Sequence, residues 1–569
     1  MYKKWTVRKH DHNAAAALAA ELNVSKLAAA LLIARGFETP EKASQFINPS
    51  QQHIHDPSLL LGMTEAADRI EKAISDGEKI LIWGDYDVDG TTGTVLLRSA
   101  LKLLGGATSF HIPDRFSEGY GVNIPGLEKA RLDGCSLAIT VDCGIRSFEP
   151  ARWAKENGFD LIITDHHLSD PVNGNPDAFA VVNPNQPGCC YPDKNLAGVG
   201  VAFKLAHELL RRRGKDHLVP AFLKIAAIGT VADIMKLIGE NRAIVAIGLK
   251  DVPRTKNFGL RALMEAAGCD SEMTSMDIGF RIGPRINAAG RMDLGRAVIE
   301  LFEAENFSQA RRLAEMLDSR NRERQQVQQK VTADALFQAA DEDRSFIVVT
   351  GEKWHRGVIG LAASRVAEKL GRPTIVFSIE NGIAHGSGRS VGNYHLLDAL
   401  ESCSGLFEQF GGHAAAAGMT IKSENIDELS RQLNAHAAAA FADLDMTPEL
   451  LIDASVSTET LDLKMVREIA KFEPFGAGNP RPVFMTRGLF ITGPPRVMKE
   501  KHLKLILSDE RGKRFEAVWW DGVERSTGRT LDAGSCIELA YTAEENVWQG
   551  SSRLQLIVED LREENSIRA

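Results

Sequence analysis

The chain has 569 residues, 44% of them hydrophobic and 25% charged, which excludes a disordered or fibrous protein and indicates several packed domains. The formal net charge of −9 excludes a uniformly basic nucleic-acid binder, although a local basic groove is compatible with it. The seven cysteines form no CxxC pair and no apolar run approaches about 18 residues, so we expect a reduced, cytoplasmic protein without a membrane span.

The first half of the chain predicts helices followed by an α/β domain. Alanine and leucine periodicity predicts a helical segment over residues 1–48. Strand-like stretches then alternate with helical ones, and they read KILIWGDYD, SLAITVDCG, DLIITDHH and AFAVVNP. This alternation predicts an α/β fold with a parallel sheet over residues 49–305.

The second half predicts a connector, a second lobe and a β-rich end. Residues 306–343 are polar and contain neither proline nor glycine, which predicts one long helix connecting two lobes. Residues 344–445 predict a second, smaller α/β domain. Five closely spaced strands within residues 446–569 predict a small C-terminal β-barrel of the OB type.

Acidic and imidazole side chains follow the apolar stretches of the first lobe. The stretch ILIWGDYDVDG places aspartates at every second position, and alternate residues of a strand share a face. The carboxyl ends of parallel strands meet at one edge of a sheet. We therefore expect the acidic and imidazole side chains of VDCG, TDHH and TVAD to lie beside these aspartates. The predicted cluster comprises Asp85, Asp87, Asp89, Asp142, His166, His167 and Asp233.

Like charges this close repel unless a divalent cation holds them together. A solvated acidic turn is the alternative for DYDVDG alone, but repetition at four apolar segments favours a metal site. Mixed oxygen and nitrogen ligands favour Mn²⁺, with Mg²⁺ as the alternative. Seven potential ligands suit two ions about 3.5–4 Å apart, an arrangement typical of phosphoester hydrolysis, and Asp142 is the natural bridge.

These motifs carry a resemblance to a known family. DYDVDG, VDCG, DHH and TVAD, in this order, resemble the DHH phosphoesterase superfamily, and WHRGVIG, GSGRS and GGHAAAAG resemble its DHHA1 companion domain. RINAAGRM and FEPFGAGNPRPVF narrow the resemblance to the RecJ family of single-strand-specific 5′→3′ DNA exonucleases, from about residue 50 onward. The resemblance implies that Asp87, Asp89, Asp142, His166 and Asp233 bind metal, that Asp85 is a ligand or supports one, and that His167 lies near the scissile phosphate.

Several other residues are candidates for binding the substrate. The resemblance places Arg115 near the 5′ end of the strand, although an arginine in this position is often only a surface ion pair. GSGRS is expected to form a loop around an anion, and WHRGVIG to present a helix N-terminus to a phosphate. GGHAAAAG offers His413 as a nucleotide contact, although its alanines also fit close helix packing. The two arginines of RINAAGRM flank an expected small-residue loop and are candidates for binding phosphates.

The candidates are Arg115, Arg285, Arg291, His355, Arg356, Ser387, Arg389 and His413.

The C-terminal region interleaves basic and aromatic residues, a pattern that fits single-strand binding by stacking. The adjacent Trp519 and Trp520 point to opposite faces of a strand, so at least one is expected in the core. The other members of the set are Lys501, His502, Lys504 and Trp548.

The main hypothesis is a metal-dependent exodeoxyribonuclease that releases 5′-mononucleotides from single-stranded DNA in recombination and repair. By resemblance, a single-strand-binding protein and a recombination helicase are expected partners. Two alternatives stay open: a DHH phosphodiesterase of short oligonucleotides or cyclic dinucleotides, and a non-catalytic single-strand-binding scaffold. The strand-rich end argues against the first, and the complete acidic set against the second.

Overall fold

The structure is a computed structural model that describes residues 3–115, 117–269, 272–291, 295–340, 344–442, 447–529, 531–548 and 550–564. The side chains of two candidate residues, Arg291 and Trp548, lie outside this description.

The N-terminal segment begins with a strand and continues as helices, whereas helix alone was predicted. Its elements are β1 (Lys4–Val7), α1 (His12–Leu22), α2 (Lys26–Ala34) and α3 (Pro40–Ile47). β1 pairs in parallel with residues 449–452, far along the chain. Leu31 and Phe46 lie in one hydrophobic core with Phe484 and Trp519. The N-terminal segment and the C-terminal region therefore fold around a shared core.

Within the described ranges, no single helix is long and apolar enough to cross a membrane. Taken together, α1 and α2 are long and apolar enough to cross a membrane, by length and composition only, but the two helices are bent by 117° relative to each other. The apolar residues of α2 from Ala28 to Leu32 are buried against the rest of the protein.

The first lobe is built on a parallel sheet, as predicted. Its elements are α4 (Met63–Ser75), β2 (Lys79–Gly84), α5 (Val88–Leu103), β3 (Ala107–His111), α6 (Ile124–Leu132), β4 (Cys135–Val141), α7 (Phe148–Glu156), β5 (Asp160–Thr164), β6 (Ala180–Val182), α8 (Gly198–Arg212) and α9 (Leu223–Ala232). The strands lie in the order β3-β2-β4-β5-β6, and all pairs are parallel. Helices cover both faces, which is why the strands read as continuous apolar runs.

Helices complete the first lobe and connect it to the second. They are α10 (Gly239–Asp251), α11 (Phe258–Ala267), α12 (Ser275–Asp277), a π-helical turn (Ile278–Ile282), α13 (Gly283–Arg291), α14 (Gly295–Phe302) and α15 (Phe307–Ala339). The 33-residue α15 confirms the predicted connecting helix. RINAAGRM was predicted to form a loop, but most of it lies in α13, because its small residues pack against neighbouring helices.

The second lobe is a mixed sheet flanked by helices. Its elements are β7 (Ile347–Glu352), α16 (Arg356–Leu370), β8 (Thr374–Glu380), β9 (Ile383–Arg389), α17 (Leu396–Glu401), β10 (Phe407–His413), β11 (Ala416–Lys422) and α18 (Ile426–Ala442). The strand order is β10-β11-β9-β8-β7, and only β7 and β8 run parallel. The expected GSGRS loop is wrong, since Gly386–Arg389 end β9. GGHAAAAG forms a β-hairpin rather than packed helices.

The C-terminal region is OB-like. Its elements are β12 (Glu449–Ile452), β13 (Ala454–Ser455), α19 (Leu463–Ile469), β14 (Phe484–Ile491), β15 (Arg496–Met498), β16 (His502–Ser508), β17 (Arg514–Trp519), α20 (Gly522–Arg525), β18 (Cys536–Trp548) and β19 (Ser551–Glu563). The sheet order is β13-β14-β18-β19-β17-β16-β15. β14 and β16 also pair, but over only two residue positions, so the sheet is not a closed barrel, and the predicted OB-like character is confirmed.

Short 3₁₀ turns complete the chain, at Gln51–His53, Pro57–Leu59, Asp216–Phe222, Val252–Arg254, Ser404–Leu406, Ser423–Asn425 and Ala470–Phe472.

A buried arginine joins three parts of the chain. The Arg242 guanidinium in α10 donates to the carbonyl oxygen of Phe46 at 2.7 Å and to that of Glu473 at 2.8 Å. Burial lowers the pKa of Arg242 to about 9, and backbone carbonyls satisfy its donors in place of a carboxylate. The FEPFGAGNP stretch, which begins at Phe472, thus fastens the OB-like region to the first lobe and to α3.

Candidate active site

The aspartates after β2 occupy three different backbone settings. Asp85 follows the end of the strand and is nearly buried. Asp87 caps α5, and its carboxylate accepts from the amide of Gly90 at 3.0 Å. Asp89 lies in the first turn of that helix. A Cβ at Gly90 would lie 2.6 Å from the backbone nitrogen of Asp85, so this turn requires glycine.

The N-terminus of α8 contacts two aspartates of the cluster. The backbone amides of Gly198 and Val199 both donate to the Asp89 carboxylate at 2.7 Å. A Cβ at Gly198 would lie 2.5 Å from the Cβ of Asp142, so only glycine permits this approach. Asp142 follows β4 with a φ of +63°, a left-handed conformation that aspartate tolerates better than most residues. The helix therefore positions two carboxylates at once.

The histidines follow β5 and are oriented by Asp165, which the sequence analysis did not single out. The fully buried Asp165 carboxylate accepts from the amides of Ile145 and His166, and lies 2.7 Å from Nδ1 of His167. Burial alone would raise the pKa of Asp165, but the hydrogen bond and charge of His167 lower it. Burial alone would lower the pKa of His167, but the hydrogen bond and the charge of Asp165 outweigh burial and raise it. Asp165 therefore positions the ring of His167 and the backbone of both histidines.

Asp233 reaches the cluster from a helix. The apolar run before it was predicted as one of the strand-like segments at the sheet edge, but it forms α9, and Asp233 is the residue that ends this helix. A helix buried on all sides is as apolar as a buried strand, so the sequence pattern does not separate them. The carboxylate nevertheless lies 3.6 Å from Nε2 of His166, which confirms the expected proximity.

The potential ligand atoms form three overlapping groups, within each of which they lie within 4.8 Å of one another. The groups are Asp142 with His166 and His167, Asp89 with His166 and Asp233, and Asp85 with Asp87 and Asp142. Nε2 of His166 lies 3.2 Å from Oδ1 of Asp142 and 3.9 Å from Oδ2 of Asp89. Asp142 belongs to two of the three groups, which is the position expected of a bridging carboxylate.

The electrostatics of the cluster favour bound cations. Burial and the charge of Asp87 raise the pKa of Asp85 to about 8, and burial with the same neighbour raises that of Asp233 to about 7. Burial lowers the pKa of His166 to about 4, which keeps its imidazole neutral and able to bind metal. Oδ1 of Asp85 and Oδ1 of Asp142 are buried without a hydrogen-bond partner. These orphaned oxygens, with a neutral imidazole, fit two divalent cations such as Mn²⁺ or Mg²⁺.

Neutralising one carboxylate should therefore stabilise the metal-free protein. In EDTA at pH 7, we expect Asp85→Asn to raise the melting temperature of the first lobe by ~2–4 °C, or ~1 kcal/mol. Asparagine needs no proton, whereas the buried Asp85 carboxyl, with a pKa of about 8, must take one up when the protein folds. Added Mn²⁺ should raise the melting temperature of the wild type more than that of the variant. Differential scanning calorimetry measures both. Asp177→Asn, on an exposed aspartate, is the matched control, and equal Mn²⁺ shifts in all three proteins would contradict the prediction.

A cavity of about 280 Å³ opens above the cluster and includes residues that the sequence analysis missed. The hydroxyl of Tyr120 lies 3.2 Å from the carbonyl oxygen of Asp142 and 3.3 Å from Nδ1 of His167. The side-chain oxygen of Asn287 accepts from the amide of Val88 at 3.3 Å, so α13 reaches the site. Tyr120 and Asn287 lie in the two stretches whose arginines were predicted to bind phosphate. Their closeness in sequence to those arginines was the one feature that could have identified them.

Two predicted phosphate-binding arginines approach each other from different lobes. Arg115 lines the cavity, and its guanidinium lies 5.1 Å from the ring centroid of Tyr86. Arg389, on β9, donates to the hydroxyl of Ser387 at 3.0 Å and to that of Ser364 at 3.1 Å. Burial lowers the pKa of Arg389, and the charge of Arg115 lowers it further. Two cations from different lobes are thus near enough to repel each other, and one of them, Arg115, lies beside the acidic cluster.

Other predicted substrate contacts have local partners. Arg285, expected to grip a phosphate, instead forms an ion pair with Asp318 of α15 at 2.8 Å, because it lies on the helical face of α13 that packs there. Nδ1 of His355 accepts from the amide of Gly357 and caps α16. Arg356 and His413 are also outside the cavity lining: Arg356 pairs with Glu380 at 3.3 Å, and Nδ1 of His413 accepts from the amide of Ala415 at 3.2 Å.

A parallel sheet whose carboxyl edge gathers aspartates and a neutral imidazole defines a metal-dependent phosphoesterase. Family models agree with this class: the DHH family N-terminal domain matches residues 79–230, the DHHA1 domain residues 343–439 and the RecJ OB domain residues 452–560.

Relatives narrow the class to one family. The chain is 38% identical to the single-stranded-DNA-specific exonuclease RecJ of Bacillus subtilis, over 98% of this chain and 70% of that protein. It is 32% identical to RecJ of Escherichia coli, over 99% of this chain and the whole of that protein. The crystal structure of Thermus thermophilus RecJ with Mn²⁺ superimposes with a TM-score of 0.85 at 30% identity, over 99% of this chain and 80% of that one. The chain belongs to the RecJ family.

Proposed function

We propose that the protein is a single-strand-specific DNA exonuclease that removes 5′-mononucleotides by metal-dependent hydrolysis. The observation that carries this proposal is an acidic cluster with the ligand set of a metal site, together with two mutually repelling cations from different lobes, one of which lines the same cavity. The sequence relatives named single-stranded-DNA-specific exonucleases support the substrate. Membership of the family supports a role in DNA recombination and repair.

The cluster would hold two divalent cations. Asp85 and Asp87 would bind one, Asp89, His166 and Asp233 the other, and Asp142 both. Bound there, Mn²⁺ or Mg²⁺ would act as a Lewis acid. It would activate an attacking water and stabilise the negative charge that develops on the phosphate. The relatives solved with Mn²⁺ and with Mg²⁺ support either ion.

His167 would stabilise the scissile phosphate. Asp165 engages its Nδ1, so Nε2 is the ring nitrogen that is left to donate a hydrogen bond to a phosphate oxygen. The raised pKa favours the protonated ring, which strengthens that bond. Tyr120, whose hydroxyl also lies near Nδ1, would limit rotation of the ring and cover the site.

Arg115, Ser387 and Arg389 would bind the terminal 5′ phosphate. In the described part of the chain, no ion pair joins Arg389 to a carboxylate, and the nearby charge on Arg115 repels it. A dianionic phosphate between the two guanidinium groups would relieve this repulsion and give each a bidentate partner. The distance between this phosphate site and the metal site would then place the first phosphodiester of the strand at the metals. Cleavage would therefore start at the 5′ end and proceed in the 5′→3′ direction.

The OB-like region would bind the rest of the strand, and Trp520 is its best stacking residue. Trp519, the last residue of β17, is completely buried, whereas Trp520 lies in the turn that follows and is 50% exposed. The Trp520 ring is braced by the imidazole of His502, with centroids 4.8 Å apart. Lys501 is exposed beside it, while Lys504 is paired with Glu516 at 2.8 Å.

Removing the Trp520 ring should weaken strand binding without changing the chemistry. We expect Trp520→Ala to lower the affinity for a 20-nucleotide strand about tenfold, within the ~1–3 kcal/mol assigned to one stacked base. Fluorescence anisotropy in EDTA measures binding without degradation. Val523→Ala, at an exposed residue of the adjacent α20, is the control. A variant with wild-type affinity, or one that loses dinucleotide hydrolysis, would contradict the assignment.

The direct test of the proposed function uses strands labelled at one end. With Mn²⁺, a 5′-labelled single strand should release labelled mononucleotide at once, while a 3′-labelled strand should shorten stepwise. Blunt duplex should resist, and EDTA should stop both reactions. Early release of mononucleotide from the 3′ end would reject the polarity, and absence of hydrolysis would favour a binding scaffold.

Cytoplasmic location, together with a single-strand-binding protein and a recombination helicase as partners, completes the proposal. Family membership supports these partners, and reduced cysteines support the compartment. Co-purification of the tagged protein from cells, before and after nuclease treatment, tests whether the partners bind the protein or only its DNA.

A further inference from the structure

The two asparagines of the stretch AFAVVNPNQ reach the histidines of the candidate active site. Asn183 directly follows β6, just as Asp165 directly follows β5, and these two strands are parallel neighbours. Parallel strands deliver their carboxyl ends to one edge of a sheet. The turn after β6, which carries Asn185, therefore lies beside the segment that carries His166 and His167.

Each asparagine donates a hydrogen bond to the backbone carbonyl of one histidine. Nδ2 of Asn185 lies 2.7 Å from the carbonyl oxygen of His166, and Nδ2 of Asn183 lies 2.9 Å from that of His167. From the other side, Oδ1 of Asp165 accepts from the backbone amides of both histidines, at 2.7 and 3.1 Å. The backbone of the two histidines is therefore fixed through its carbonyl groups and its amides at once.

The turn that carries Asn185 is fixed by its own contacts. The backbone amide of Asn185 donates to Oδ1 of Asn183 at 2.7 Å, and Asn183 is completely buried. Nε2 of the buried Gln186 donates to the carbonyl oxygen of Val181 at 2.7 Å. Pro184, between the two asparagines, has a ring that restricts the backbone there. Asn185 thus presents its side-chain amide from a well-supported turn.

The histidine that Asn185 contacts is the nitrogen ligand of the proposed metal site. Nε2 of His166 lies 3.2 Å from Oδ1 of Asp142 and 3.6 Å from Oδ2 of Asp233. A shift of the His166 backbone would move this nitrogen relative to the carboxylates. Removing a group that positions a metal ligand typically lowers metal affinity or activity by about 10–100-fold.

We propose that Asn185 is a positioning residue that keeps His166 in place for metal binding, and that Asn183 supports it from the core. This inference rests on the proposed function, because it concerns the same metal cluster. The competing role for Asn185 is structural, in which its hydrogen bond stabilises the turn and has no effect on the metal. The two roles differ in the quantity that changes on substitution, which is the affinity for the metal or only the stability of the fold.

Isothermal titration of Mn²⁺ into the full-length protein, without DNA, tests the proposal. We expect Asn185→Ala to raise the Mn²⁺ dissociation constant about tenfold, because the carbonyl of His166 loses its partner. Asn185 is only half-buried, so alanine at this position leaves little empty space. Asn185→Gln keeps an amide donor and should restore the dissociation constant to within about threefold of the wild-type value.

Hydrolysis of a 5′-labelled strand supplies a second measurement. In Asn185→Ala, the Mn²⁺ concentration that gives half the maximal rate should also rise about tenfold, and added Mn²⁺ should restore most of the rate. Asn157→Ala is the matched control, because Nδ2 of the exposed Asn157 also donates to a backbone carbonyl, that of Trp153, at 2.9 Å. Asn157 precedes β5, at the opposite end of this strand from His166, so the control should match the wild type in both measurements.

Four results would overturn the proposal and leave the proposed function intact. Asn185→Ala binds Mn²⁺ as tightly as the control, Asn185→Gln binds it no better than Asn185→Ala, or added Mn²⁺ does not restore the rate. The fourth is an Asn185→Ala variant that circular dichroism shows to be unfolded, which would assign Asn185 the structural role. A wild type that neither binds Mn²⁺ nor hydrolyses the strand would instead reject the proposed function, and this inference with it.

Discussion

Asp142→Asn is expected to lower the rate of phosphodiester hydrolysis by ~10³-fold or more, a loss typical of removing a main electrostatic contact to the transition state. Asp142 is the carboxylate shared by two of the three groups of potential ligand atoms, so one substitution should weaken both proposed cation sites. Asparagine keeps the shape of the side chain and tolerates the φ of +63° at this position. The backbone should therefore stay in place while the charge is lost.

The measurement is release of mononucleotide from a 5′-labelled strand across a range of Mn²⁺ concentrations. Asp177→Asn provides the control, since this aspartate is exposed and pairs only with Lys155 among the described contacts. Binding of single-stranded DNA in EDTA should be retained by the Asp142 variant. Undiminished hydrolysis in Asp142→Asn would show that the acidic cluster is not the catalytic centre.

Arg389→Ala is expected to abolish most of the preference for a 5′-phosphorylated end, by roughly 10–100-fold in kcat/KM. One charge-assisted contact to a phosphate contributes about 1.5–3 kcal/mol, which corresponds to this factor. Cleavage of strands that already lack a 5′ phosphate should change much less, because Arg389 lies in the second lobe and not among the metal ligands. Substitution should therefore alter selection of the end more than the chemical step.

Paired substrates with and without a 5′ phosphate measure this preference. Arg365→Ala is a suitable control, because Arg365 belongs to the same lobe, is exposed and pairs with Glu368 on its own helix. Two outcomes would remove Arg389 from the end-binding site: a wild type that cleaves both substrates equally, or a variant that loses activity equally on both.

Much of the active site could be predicted from local sequence. Asp85, Asp142 and His166 each follow an apolar stretch that forms a strand, and parallel strands deliver their carboxyl ends to one edge. Repetition of that pattern indicated one cluster, and mixed carboxylate and imidazole ligands indicated the kind of cation. Both inferences need only the order of residues along the chain and the rules of sheet geometry.

Other features depend on packing between distant segments. Asp233 was placed correctly near the cluster but on the wrong kind of element, because a fully buried helix and a buried strand share the same apolar pattern. Arg285 was predicted to bind phosphate, but the neighbour that pairs with it is Asp318, more than thirty residues away on α15. Nothing in the local sequence of an arginine reveals its eventual partner.

The sequence by itself determined the parallel sheet, the connecting helix and the acidic cluster, because periodicity and strand ends record burial and backbone geometry locally. Only the tertiary structure decided which cations meet across the lobes, that Asp165 orients the histidines, and that the two ends of the chain share one core. The cations and the shared core join segments hundreds of residues apart, and the contact of Asp165 with His167 depends on how the backbone turns after β5. The distances between such segments follow from how whole elements pack together, which no single stretch of sequence encodes.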